Sequence, residues 1–124
     1  MKFLINSYFR RAMQQIEVSE PWFSCIKNGT KTVEGRKATP KWLSLRPGQR
    51  VLVANSGDLQ DTFYIDIVRL QRYDTLSEMF DREGLHNVLP GIGSNNEGEQ
   101  VYLDFWSQSE IDEYGMVGIK VQVS

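Results

Sequence analysis

The sequence predicts an α+β fold, a curved antiparallel sheet or small β-barrel with helices over one mouth. Three observations predict it. Strand-like segments in the middle of the chain follow one another without the crossover helix that a parallel sheet requires. Capped helical segments come after them, and an alternating apolar segment closes the chain. The 124 residues, with 40% hydrophobic and 24% charged side chains, suit a single core of ordinary size.

The elements follow in order. Residues 1–12 show no clear period and read as an N-terminal extension, leaving 13–124 as one domain. Ile16 and Val18 alternate with polar neighbours, as in a short strand. Ser19-Glu20-Pro21 enters a helix, with serine or glutamate as cap and proline in the first turn. Its apolar positions are Trp22, Cys25, Ile26 and Gly29, so Trp22 and Cys25 are expected to fill the core, and Gly29 ends it. A strand over 31–36 leaves that helix. Residues 39–43 make a turn or short helix carrying Trp42, and Arg46-Pro47-Gly48-Gln49 is a turn. Two strands, 50–54 and 62–73, flank a loop over 55–61; the second places Phe63, Ile65, Ile67 and Arg69 on one face. Asp74-Thr75 caps a helix with Leu76, Met79 and Phe80 inside. Residues 85–89 form a short helical piece stopped by Pro90-Gly91, and a glycine-rich loop follows over 92–97. A helix over about 96–108 carries Val101, Leu103, Phe105 and Trp106, and a half-turn with Ile111 and Tyr114 ends at Gly115. The last strand, 116–123, aligns Val117, Ile119, Val121 and Val123.

Composition narrows the function. No apolar run approaches the ~20 residues of a membrane helix. The opening MKFLIN is too poor in apolar residues for a secretory signal. One cysteine, Cys25, fits a reducing compartment, so the expected location is cytoplasmic. One histidine, His86, and acids without ligand spacing predict no metal and no cofactor. The net charge of −2 hides an asymmetry. Residues 27–50 hold seven basic side chains against one acid, Glu34, whereas 58–114 hold thirteen acids against Arg69, Arg72 and Arg82. A local basic face can bind phosphates even on an acidic protein.

That lone acid lies in GTKTVEGR, residues 29–36. In a regular strand Thr32, Glu34 and Arg36 share one face, and Lys31 joins them only from the strand entrance or beside a bulge. One reading is an ion pair that holds the fold. The other is a pocket floor: Lys31 and Arg36 contact a phosphate or base carbonyl, and Glu34 accepts from an exocyclic amine, as carboxylates do from cytosine. A lone acid among cations suits a ligand that is anionic overall yet carries amine donors, which describes a nucleotide. Trp22 and Trp42 are candidate stacking platforms. Lys37, Lys41 and Arg46 would extend the positive surface outward from the pocket.

EPWFSCIKNGTKTVEGR followed by RPGQRVLV resembles the ASCH domain of the PUA-like superfamily. The shared pattern is a helix, then G-x-K-x-x-E-x-R, then a glycine turn entering a strand; here Gly29, Lys31, Glu34, Arg36 and Gly48. RYDTLSEMFDREGLHNVLPG and EYGMVGIKVQV extend the resemblance to roughly residues 15–123. It implies a small, mostly antiparallel β-barrel with flanking helices over a basic cleft. For the branch that keeps a glutamate at the position of Glu34 it implies binding of RNA or a nucleotide. One bacterial branch instead hydrolyses the acyl amide of N4-acetylcytidine, with a lysine where Lys31 stands, a threonine where Glu34 stands, and a downstream glutamate matched by Glu83, or an acid at Asp81. Lys31 agrees with that branch; Glu34 replaces its hydroxyl. Lys31, Glu34 and Glu83 are the candidate catalytic residues if the chain is an enzyme. A third reading is a protein-interaction module whose acidic second half meets a basic partner. The sequence leaves the oligomeric state open.

Overall fold

Residues 15–124 are described by the computed structural model, and the extension expected over 1–12 lies outside them. Among these residues five strands form one curled sheet: β1 (Gln15–Val18), β2 (Val33–Lys37), β3 (Arg50–Asn55), β4 (Asp58–Tyr73) and β5 (Met116–Val123). Their spatial order is β1-β3-β4-β5-β2, so the first two strands in sequence are the two edges. The sheet is mostly antiparallel, as expected, but β1 runs parallel to β3, with Ile16 opposite Val53. Curling makes a half-barrel and brings the edges together at a seam. There the Arg36 guanidinium on β2 donates to the Glu17 carbonyl on β1 at 2.6 Å.

The concave side holds the first core. Alternate residues of the strands meet there, among them Ile16, Val51, Val53, Ile65, Ile67, Val117 and Ile119. Helix α1 (Trp22–Lys27) adds Phe23 and Ile26. This corrects the expected phase of that helix: Phe23, tilted against Phe63 with centroids 5.0 Å apart, is buried, whereas Trp22 and Cys25 are only half-buried. Rotating by one residue puts the wholly apolar Phe23 ring inside, leaves the Trp22 indole half-buried, and still keeps Ile26 on the inner face. At its start, the Glu20 carboxylate accepts from the Ser24 N–H at 2.9 Å. At its end, Gly29 takes a left-handed φ of 86°.

A second core lies under the remaining helices. After the short α2 (Pro40–Leu43) come α3 (Leu76–Glu83), α4 (Leu85–Val88), α5 (Asn95–Leu103) and α6 (Gln108–Tyr114). Leu76, Met79, Phe80, Val88, Tyr102 and Ile111 bury their side chains against Val33, Tyr73 and Met116. Thr75 caps α3 by accepting from the Glu78 N–H. The helix expected over 96–108 stops at Leu103, and the half-turn expected around Ile111 and Tyr114 is a full helix, α6. Ser94 caps α5 from within the expected loop, and Ser107 with Glu110 forms a capping box that starts α6 afresh. The loop expected over 55–61 is a tight hairpin instead. Asn55 pairs with Asp58, and its side chain accepts from the Gly57 N–H at 2.9 Å, a turn chemistry that needs only two linking residues.

Strand β4 also departs from simple alternation. Ile67 pairs with Val121, but the next partners are Arg69 and Lys120, so Val68 is an extra residue in a bulge. Beyond it Leu70, not Arg69, packs against the barrel core. A guanidinium pointed inward there would be buried without a partner, at a cost far above that of a bulge. Arg69 meets α3 instead, donating to both oxygens of Glu83 at 2.9 and 2.8 Å, and the Tyr73 hydroxyl donates to Glu83 as well. Burial pushes the Glu83 carboxyl up, but the bonds from Arg69 and then Tyr73 outweigh it and hold the carboxyl below its ordinary range.

Burial, followed by the bond to Glu83, pushes the Tyr73 phenol up to about 12. An unfolded tyrosine titrates near ~10. The neutral phenol therefore contributes stability that is complete below pH ~10 and is lost as pH rises through about 12. Urea midpoints are expected to hold between pH 7 and 9 and to fall above 10, with Tyr73→Phe removing part of that fall. An identical fall in both proteins would contradict the assignment.

Candidate functional site

The seam between β1 and β2 opens into a cleft of about 300 Å³. One side is the end of β1 with Trp22 of α1, and the floor is Lys31, Glu34, Gly35 and Arg36. The other side is Tyr102 of α5 with Phe105 and Trp106 from the link that follows it. The sequence places the floor by three local devices. Gly29 turns the chain out of α1, Lys31 sits before the strand begins, and Glu34 and Arg36 share a strand face. The condition under which Lys31 could join the pair, a place at the strand entrance, is thus met.

Lys31 is 1% exposed. Its Nζ donates to the carbonyls of Val33, at 2.7 Å, and Val88, and lies 3.3 Å from Glu34 Oε1. Three acceptors match the three N–H of an ammonium and leave none over. Burial pushes its pKa down, and the Glu34 charge opposes that. Burial would raise the Glu34 carboxyl, but the Arg36 charge and then Lys31 outweigh it and hold Glu34 below the ordinary carboxylate range.

Arg36 is placed differently. Its Nε and Nη2 donate to Glu34 Oε2 at 3.0 and 2.8 Å, and Nη2 also spans the seam to Glu17. Nη1, with two N–H, makes no hydrogen bond among the described residues, on a side chain that lines the cleft and is 17% exposed. The Trp42 ring lies 4.9 Å from the guanidinium carbon and carries Lys41 Nζ at 4.6 Å. Among the described residues Glu34 accepts from Lys31 and twice from Arg36, which leaves a lone pair on Oε1.

Gly35, on the opposite strand face, is required by Tyr102. A methyl group there would come within 2.9 Å of Met79 Cε and 3.0 Å of Tyr102 Cζ. The Tyr102 phenol is shifted up by burial and keeps a backbone hydrogen bond with Gly35. Its ring stacks on Trp106, centroids 5.7 Å apart at 22°, and Phe105 tilts against Trp106 at 6.2 Å.

Of the residues singled out in the sequence, the cleft gathers Lys31, Glu34, Arg36 and Trp22. Trp42, Lys37, Lys41, Arg46 and Glu83 do not line it. Lys37 pairs with Glu110 at 2.7 Å and lies 5.7 Å from the Trp106 ring, so it braces the aromatic wall from outside. Trp42 backs Arg36. Arg46 sits in its exposed turn. Glu83 is occupied by Arg69 and Tyr73. The aromatic wall was not singled out in advance; its signal is the spacing of Tyr102, Phe105 and Trp106, three and four residues apart. Among the described residues no group of three His, Cys, Asp or Glu side chains is placed to hold a metal ion, and no helix is long and apolar enough to cross a membrane.

Comparison with known proteins agrees with this architecture. The family model of the ASCH domain matches residues 16–123. The crystal structure of hypothetical protein PH0355 is similar at 28% identity and a TM-score of 0.79, over 90% of this chain and 99% of that one. The solution structure of protein PF0455 from Pyrococcus furiosus is 30% identical, with a TM-score of 0.70, over 90% and 96%. The crystal structure of ASCH from Zymomonas mobilis shares the fold at 16% identity, with a TM-score of 0.65, over 91% and 68%. No curated protein matches the chain in sequence.

Proposed function

Because this chain belongs to the ASCH domain family, whose members are generally RNA-binding, we propose that it binds single-stranded RNA by seating one nucleobase in the cleft between β1 and β2. The observation that carries this reading is the pairing of aromatic walls with a floor that offers the two N–H of Arg36 Nη1 and a lone pair of Glu34. Sequence-specific RNA recognition works this way: unstacked bases lie against aromatic rings and are hydrogen-bonded along their edges. In the cleft Arg36 donates to a base carbonyl or ring nitrogen, Glu34 accepts from an exocyclic amine, and Trp22 covers the ring. A volume of about 300 Å³ lies at the small end of ligand pockets, ~300–1,000 Å³, which suits one base better than a duplex end.

Two roles differ from those expected of the motif. Lys31 fixes Glu34 in place and keeps it ionised, since its three N–H are already committed. The phosphates fall to Lys41 and Arg46 outside the cleft. Lys31 and Arg36 share Glu34 as counter-charge, so the pocket floor carries little net charge. A cytoplasmic setting suits such a partner.

A hydrolytic reading of the same cleft draws on one observation, a buried lysine with a lowered pKa at its floor. Against it, Glu34 stands where that chemistry has a hydroxyl, and Glu83 does not reach the cleft. Titration of labelled protein with a mixed-sequence RNA hexamer, its duplex and N4-acetylcytidine separates the readings. The expected result is binding of the single strand over the duplex. A shallow salt dependence, a log–log slope of about −1 to −2, would reflect two or so phosphate contacts. Equal binding of the duplex, or no binding of the strand, would overturn the reading. Release of acetate would replace it with hydrolysis.

A further inference from the structure

We propose that Phe105 is a second stacking platform, which receives the base next to the one in the cleft, so that the site takes a strand of at least two nucleotides and not a free nucleoside. The inference rests on the base-binding reading above. At 57% exposed, Phe105 leaves more of its surface in water than any other large hydrophobic side chain among the described residues. Scattered exposed apolar residues are ordinary and need no explanation. Phe105 is not scattered: it stands on the cleft wall itself, at the outer end of an aromatic series. Tyr102 is buried at the inner end, Trp106 is half-buried beside it, and Phe105 is open to solvent.

The support under this platform is rigid. The N–H groups of both Phe105 and Trp106 donate to the Tyr102 carbonyl at 3.0 Å. Trp106 is held by its stack on Tyr102 and by Lys37, which Glu110 fixes in turn. A rigid ring, half in water, beside a pocket with room for one base gives the next base of a strand a surface without reorganisation. Its neighbour Asp104 is exposed and acidic, so the platform attracts the uncharged face of a base and not a phosphate. The gain from a second nucleotide should therefore survive high salt.

The test measures affinity for the four nucleoside 5′-monophosphates and the four matching homotrinucleotides at 0.15 and 0.5 M salt. Wild type is compared with Phe105→Ala and Phe105→Trp. In wild type at least one trinucleotide is expected to bind about tenfold or more tighter than its monophosphate, at both salt concentrations. In Phe105→Ala that ratio should fall toward one, and in Phe105→Trp it should be kept. A trinucleotide no tighter than its monophosphate in wild type would overturn the proposal. So would a gain that Phe105→Ala retains, or one that vanishes at 0.5 M salt. If wild type binds neither kind of ligand, the base-binding reading fails and takes this one with it.

Discussion

Glu34→Ala is expected to be among the most damaging single substitutions in the chain, lowering stability by about 3–5 kcal/mol. Among the described residues it is the one counter-charge between two cations, 3.3 Å from Lys31 and 2.8 Å from Arg36. With side-chain exposures of 1% for Lys31 and 17% for Arg36, water cannot replace it. Removing it leaves two like charges facing each other in a partly dry site, and a fall in Tm on the order of 10 °C or more should follow. Asp66→Ala is the control. It breaks an ion pair with Arg50 in which the side chains are 41% and 60% exposed, and such surface pairs contribute only about 0–1 kcal/mol. Lys31→Met should cost nearly as much as Glu34→Ala, because it strips a donor from the Val33 and Val88 carbonyls and a charge from Glu34. The double variant should lose less than the two losses added, since removing Lys31 as well relieves the repulsion from Arg36 that Glu34→Ala alone leaves behind. Urea denaturation measures all four. Equal, small losses for Glu34 and Asp66 would show that the triad is solvated and carries no structural weight.

Arg36→Lys is expected to leave the protein folded and to weaken nucleotide binding roughly 10- to 100-fold. Lysine keeps a positive charge near Glu34 but loses the fork that grips Oε2, the bond across the seam to Glu17, and both N–H of Nη1. A hydrogen bond to a charged group is worth ~1.5–3 kcal/mol, which sets that range. Calorimetric titration of Arg36→Lys with the same RNA hexamer, alongside its urea midpoint, reads binding and folding separately. Unchanged affinity in a folded variant would remove Arg36 from the binding surface.

Much of this site is written locally in the chain. Gly29, Lys31, Glu34 and Arg36 fall within eight residues, so turn chemistry and strand alternation are enough to bring their charges together. What spacing could not show is where Lys31 spends its other hydrogen bonds, because Val88 is 57 residues away and meets it only once α4 packs beside β2. The bulge at Val68 escaped for a related reason. Alternation continues smoothly in the sequence, and only the cost of burying Arg69 breaks it. Phe105 and Trp106 read as the apolar face of one long helix, whereas α5 stops at Leu103 and both rings line the cleft from the link before the Ser107 cap of α6. The parallel pairing of β1 with β3 is likewise a matter of topology. It sets β1 opposite β2, and the seam between them is what makes a cleft at all.

The most direct measurement is the set of intermolecular NOEs between the base protons of a bound RNA strand and the labelled protein, with the Arg36 guanidinium signals followed in parallel. The expected result is contact between one base and the ring protons of Trp22, together with a shift of Arg36 Nη1. Contacts confined to Trp42, Lys41 and Arg46, with Arg36 Nη1 and Trp22 unmoved, would contradict a base-binding cleft and place the RNA on the outer face alone.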